Sequence, residues 1–234
     1  MYKDLVKGKD GFDYEYSGGD KNNSSYTLLK IIILLISLQI IRIVVKQTTF
    51  IFIKENNFND CLISMTIMIT LTLLIVYKSK KENISLNVFS YMKTKESKMY
   101  YILLTLLIFI LIFTSPLITS DISIGTILPF IYSTIIIPVY EEIIFRSYIW
   151  GKLEGEYESN FKVYMVTTTL FALWHIGYID SIAMVAGYSS LWFVVFIKCS
   201  VMLSYGLFIG YFRYKIKNSY SCMLIHSFIN IFGG

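Results

Sequence analysis

The sequence lacks the features that would place it among the commoner protein classes. Its three cysteines, Cys61, Cys199 and Cys222, are odd in number and lie in or beside apolar runs, so they read as packing thiols rather than a disulfide framework. The first 26 residues carry Asp4, Asp10, Asp13, Glu15 and Asp20 with no apolar stretch, which argues against a signal peptide. No HExxH, no GxSG and no intramembrane aspartate pair is present, since Asp121 and Asp180 fall in expected outer loops. There is no internal repeat and no sign of a second soluble domain. Acidic residues are missing from every membrane-length apolar run but one, and histidine occurs only at His175 and His226.

What is abundant is apolar surface. Hydrophobic residues make up 55% and aromatics 17% of 234 residues, with a mean hydropathy of +0.60. That composition is too apolar for a soluble domain of this size and fits an all-α, polytopic membrane bundle. Since about 20 apolar residues cross the hydrocarbon core, about seven transmembrane helices are expected, near 28–49, 61–77, 99–118, 123–149, 163–179, 189–212 and 218–232. Lys30, Arg42 and Lys46 mark the first as amphipathic or oblique, leaving open whether it spans the bilayer or lies in the interface. The expected organisation is a polar cytosolic tail at 1–27, N-terminal membrane helices at 28–118 with a basic cytosolic loop at 78–98, and a C-terminal membrane core at 119–234. With the N-terminus inside, 17 of the 21 basic residues fall on the cytosolic side, which puts the C-terminus outside. The net charge of +5 is thus accounted for by orientation and requires no nucleic acid.

The exceptional acidic residues are Glu141 and Glu142, in the run EEIIFR. A carboxylate in hydrocarbon costs a few kcal/mol or more, so an intramembrane pair points to a functional site. Counting about 1.5 Å per residue from the nearest cytosolic charge, Glu141 lies about 16 Å deep, His175 about 20 Å and His226 about 14 Å. Three helices would then bring their polar residues to similar depth. Residues four apart share a helix face, so Glu142 faces Arg146, Phe171 lies over His175, and His226 over Asn230. Self-neutralisation of Glu142 by Arg146 leaves Glu141 free for chemistry. Pro138 removes a backbone donor just upstream and is expected to bend the helix.

Glu141, Glu142 and Arg146, then Phe171 and His175, then His226 and Asn230 resemble the EExxxR, FxxxH and HxxxN motifs of the CPBP family, the CAAX proteases and bacteriocin-processing enzymes also called Abi. The resemblance covers roughly residues 120–234, including the glycine-containing stretch GLFIGYFRYK from Gly206. It implies peptide-bond hydrolysis within the membrane, with Glu141 activating water. The roles assigned on that basis are Glu141 as base, His175 as its water-positioning partner, and His226 with Asn230 as oxyanion donors. Glu142, Arg146 and Phe171 are supporting. No cofactor is expected, although Glu141, His175 and His226 could also form a zinc set with an open position.

The expected partners are the lipid bilayer and a membrane-associated peptide or protein substrate, such as a bacteriocin or signalling-peptide precursor. Abundant Ile, Lys and Asn suggests a bacterial cell membrane. Two other readings stand beside this one: a non-catalytic immunity or scaffold protein that binds a bacteriocin or receptor, and a transporter or ion-binding protein, for which internal repeats would be expected. Cys222, four residues before His226, also raises a thiol nucleophile. Oligomeric state is not encoded in any visible feature.

Overall fold

In the computed structural model, residues 6–7, 13–14, 21–90, 95–118, 123–179 and 191–233 are described. Most of the expected tail at 1–27, as well as Asp121 and Asp180, lies outside them. The short antiparallel pairing of Val6–Lys7 with Asp13–Tyr14 is the only strand structure among the described residues. The fold is otherwise helical, in the order anticipated: α1 Lys21–Phe52, α2 Asn57–Lys81, α3 Lys95–Ile118, α4 Ile124–Glu154, α5 Asn160–Trp174, α6 Leu191–Ile216 and α7 Ser219–Gly233. The spans Ser24–Phe52, Asn57–Lys81, Ser97–Thr114, Ile124–Glu154 and Leu191–Ile216 are long and apolar enough to cross a membrane. Helices α5 and α7 have 15 residues each, about 22 Å of rise. This is an integral membrane protein.

Helix α1 resolves the ambiguity over its charges. Leu29, Ile33, Ile36, Ile40 and Val44 form an exposed apolar stripe, while Ile31, Leu35, Leu38, Arg42 and Lys46 are buried against the bundle. A helix lying in the interface would turn its cations toward water; this one turns Arg42 and Lys46 inward, and Lys46 meets Asp60 of α2 at 2.6 Å. Lys30, near the N-terminal end, is exposed; the rest of the helix is apolar outside and charged inside, as a span carrying functional polar groups would be.

Helix α4 is the central rod. Residues 140–150 are all buried, as expected of a helix packed on every side. Its α-helical hydrogen bonding is interrupted by two π-helical stretches, Tyr132–Ile136 and Ile143–Ile149, that flank the six-residue α segment containing Pro138 and the two glutamates. Pro138 has no N–H to give and crowds the carbonyl of Thr134; the wider turn just before it, where the Ile137 N–H reaches the Tyr132 carbonyl, accommodates both effects. Such bulges recur at functional sites.

Close packing of α5 on α6 depends on two glycines. A Cβ on Gly206 would lie 3.1 Å from the Phe171 ring, and one on Gly210 2.9 Å from the Tyr164 ring. Their absence of side chain allows the helices to approach and fixes where Phe171 sits. Residues 82–90, which follow α2, are ordered by specific contacts. Asn83 and Asn87 adopt left-handed backbone, which Asn tolerates, and the Asn87 and Val88 carbonyls accept the Ser219 and Tyr220 N–H groups at 3.2 Å. That satisfies donors at the start of α7 that the helix itself cannot pair. Glu82, at the end of α2, binds Lys78 at 2.7 Å and both Lys152 and the Tyr148 hydroxyl at 2.8 Å. Burial raises its carboxyl, but the hydrogen bonds from Lys152, Lys78 and Tyr148 win and hold it at about 2.

Candidate active site

The three sequence motifs converge, and they do so as two carboxylate–imidazole pairs. The first joins Glu141 of α4 to His175 at the end of α5: His175 Nε2 lies 3.8 Å from Glu141 Oε1. The second joins Glu142 to His226 of α7, with Nδ1 and Oε1 2.9 Å apart. All four side chains are almost fully buried, with Glu141 2% exposed, Glu142 0%, His175 6% and His226 4%. Adjacent residues on a helix point about 100° apart, so successive glutamates serve different neighbours.

Phe171 separates the pairs. Its ring is fully buried, with centroids 4.9 Å from His175 and 6.4 Å from His226, and the Arg146 guanidinium lies 4.2 Å above it. This favourable cation–π geometry anchors the arginine that also faces Glu142. Arg146 Nε is 3.3 Å from Glu142 Oε2 and a second guanidinium nitrogen 3.4 Å from Oε1. Those separations are long, and Oε2 lacks hydrogen-bond geometry to any partner; the stronger contact of Glu142 is therefore with His226. Arg146 also gives a hydrogen bond to the Gly206 carbonyl at 3.4 Å, and Arg213 Nε donates to the Arg146 carbonyl at 2.8 Å. Arg146 and Arg213 are each 1% exposed, so these two cations belong to the bundle interior rather than to the loops where a count of charges would put them.

Tautomers follow from partners. His175 Nδ1 lies 2.9 Å from the Phe171 carbonyl, and a carbonyl only accepts, so Nδ1 carries the proton. In the neutral ring, Nε2 then presents a lone pair toward Glu141. Two acceptors facing one another at 3.8 Å make no hydrogen bond of their own; a donor with two hydrogens would reach both from beside the pair, not from between them. His226 similarly places an N–H on Glu142.

Asn230 has a partner on α4. Its Nδ2 donates to the Ser133 carbonyl at 2.8 Å, inside the first π-helical stretch, so one amide hydrogen ties α7 to α4. Cys222 is also turned from chemistry, with its thiol toward the Ile209 carbonyl at 3.6 Å. Tyr178, which is part of none of the three motifs, also reaches the pair: its hydroxyl donates to Glu141 Oε1 at 3.4 Å. The signal available was its position three residues after His175, on the same helical face. Among the described residues, no group of three or more His, Cys, Asp and Glu side chains is disposed to hold a metal ion. Glu141 and His175 come together, while His226 is committed to Glu142.

Residues 123–232 match the family model described as type II CAAX prenyl endopeptidase Rce1-like, a segment that contains both pairs, Phe171 and Arg146. UPF0177 protein YxdF of Lactococcus lactis subsp. lactis (strain IL1403) is 31% identical over 101 residues, 43% of this chain and 45% of that protein. The alignment thus spans less than half the length of this curated relative. No solved structure matches.

Proposed function

We infer, from a membrane core whose residues 123–232 belong with the Rce1-like proteins of the CPBP family, that this protein is an intramembrane endopeptidase. The observation that carries the reading is the pair of buried carboxylate–imidazole contacts in that core. The substrate is a membrane-associated peptide or protein precursor, with bacteriocin or signalling-peptide maturation, or self-immunity linked to it, as the biological setting. The protein resides in a bacterial cell membrane with its N-terminus cytosolic and its C-terminus outside.

In the proposed reaction, a water donates one hydrogen bond to Glu141 and one to His175 Nε2. Glu141 takes the proton as the water oxygen attacks the scissile carbonyl carbon, and the carbonyl π electrons move onto oxygen. His226, in its imidazolium form, keeps Nδ1–H on Glu142 and offers Nε2–H to that oxyanion; Asn230 contributes its second amide hydrogen. Collapse of the tetrahedral intermediate breaks the C–N bond, and Glu141 returns its proton to the leaving amine. Glu142 and Arg146 hold His226 and Phe171 in place. No step passes through a metal.

The test compares peptide termini in cells carrying the native chain, Glu141→Ala or Glu142→Ala at matched membrane abundance, with a chelator-treated arm. Cleavage products that disappear with Glu141→Ala and survive chelation are expected. Identical termini in native and Glu141→Ala cells, with a host phenotype retained, would replace this reading by a binding or immunity role.

A further inference from the structure

The Rce1-like segment begins at residue 123, yet one end of the site is held by α1. Helix α5 stops at Trp174 and continues as a 3₁₀ turn, His175–Tyr178. The last carbonyls of a helix have no partner in the helix. Here Gln39 Nε2 donates to the Trp174 carbonyl at 3.1 Å, and an Arg42 Nη donates to the Gly177 carbonyl at 2.6 Å. Arg42 Nε donates to Gln39 Oε1 at 2.8 Å, locking the two donors together. They lie three residues apart, on one face of α1.

The same guanidinium stacks 4.3 Å from the Tyr178 ring centre, and the far end of that ring reaches Glu141. Arg42, Tyr178 and Glu141 thus form a continuous line from α1 into the site. Gly177 is required for it, because a Cβ there would collide with the Gln39 amide. Gln39 and Arg42 are 9% and 4% exposed. A cation kept at membrane depth is costly unless it is paired or functional, and a cation at a helix C-terminus interacts favourably with the helix dipole.

We propose that α1 is a strut of the active site, in which Gln39 and Arg42 hold the His175–Tyr178 turn so that the Tyr178 hydroxyl orients Glu141. All three are positioning residues, and the assignment rests on the reading of Glu141 as the base. Lysine cannot replace Arg42, since the fork supplies two directed donors and a flat face at once.

Two measurements on the full chain in proteoliposomes test this. Hydrogen exchange should quicken about tenfold across residues 175–179 in Arg42→Met and Gln39→Leu, the loss of one or two buried hydrogen bonds, while α3 keeps its native rate. Tyr178→Phe retains the ring and its stacking, so its exchange should remain native. With a quenched fluorescent CAAX peptide, with and without a farnesyl group, as probe, kcat for Tyr178→Phe should fall about tenfold at unchanged KM. Native exchange in both α1 variants, or native kcat in Tyr178→Phe where Glu141→Gln is inactive, overturns the strut. Native cleavage by Glu141→Gln instead overturns the reading of Glu141 as the base and leaves the exchange measurement to decide the strut.

Discussion

Removing the negative charge from either glutamate should separate folding from chemistry, although the two residues are adjacent. Glu142→Gln keeps the shape but withdraws the carboxylate that faces both Arg146 and His226. Arg146 is 1% exposed, and its other acceptor, the Gly206 carbonyl, is 3.4 Å away. Breaking a buried ion pair by removing one partner costs about 3–5 kcal/mol, because the remaining charge stays buried and uncompensated. For a chain of this length each kcal/mol lowers Tm by about 2–4 °C, so a decrease of about 6–20 °C is expected. Glu141 has a different environment: its contacts are a hydroxyl at 3.4 Å and an imidazole nitrogen at 3.8 Å. Neutralising it strands no cation, and Glu141→Gln should unfold at or above the native temperature while losing cleavage, as expected where function is bought with stability. Thermal unfolding of detergent-solubilised protein, followed by loss of the monodisperse peak in size-exclusion chromatography, measures both. A native Tm in Glu142→Gln, or a large drop confined to Glu141→Gln, would refute the division of roles.

Gly206→Leu should force Phe171 and Thr168 away from α6, since even a Cβ would lie 3.1 Å and 3.2 Å from them; overpacking of this kind costs about 1–3 kcal/mol, visible as a lower Tm, and the displacement of Phe171 should also reduce cleavage. Glu82→Gln reports on pH. The Glu82 carboxyl is held at about 2 against an ordinary 4.5, so its stabilising contribution is complete above 4.5 and disappears as pH falls toward 2. The Tm gap between native protein and Glu82→Gln should accordingly be constant above about pH 5.5 and close between pH 4.5 and 2, measured in a membrane mimetic that does not itself titrate.

The features of this protein legible in its sequence were those governed by hydrocarbon. Seven helical rods, their order, and the convergence of three polar motifs follow from the rarity of charge in apolar runs. The partition of partners did not follow. Spacing within α4 correctly set Glu142 opposite Arg146, but which histidine each glutamate meets depends on how α5 and α7 cross α4, and periodicity within one helix carries no such information. Nor could it show that Arg146 and Arg213 are interior, because a loop-adjacent arginine and a buried one look alike until a neighbouring carbonyl or ring is known. Asn230 illustrates the same limit: HxxxN places it on the face of His226, yet the π-helical turn of α4 offers the Ser133 carbonyl, and the amide takes it.

Helix α1 shows what periodicity alone leaves open. Its cations left open whether it spans the bilayer or lies in the interface, since a surface pattern and an inverted one have the same periodicity and differ only in which stripe meets lipid. The exposed stripe Leu29, Ile33, Ile36, Ile40 and Val44 shows that the inverted arrangement holds. Once Arg42 is interior it must be paired, and its partners are the carbonyl of Gly177 and the ring of Tyr178, neither of which belongs to any of the three motifs. The motif residues supply two carboxylates and two imidazoles; on the proposed reading, the distances that would let Glu141 work on water rather than pair off are set in part by a helix whose contacts to the turn span 135 residues of sequence. A core cut free of α1 would leave the Trp174 and Gly177 carbonyls without these donors and His175 on an untethered turn, so its histidines and glutamates would be present without the spacing their chemistry requires.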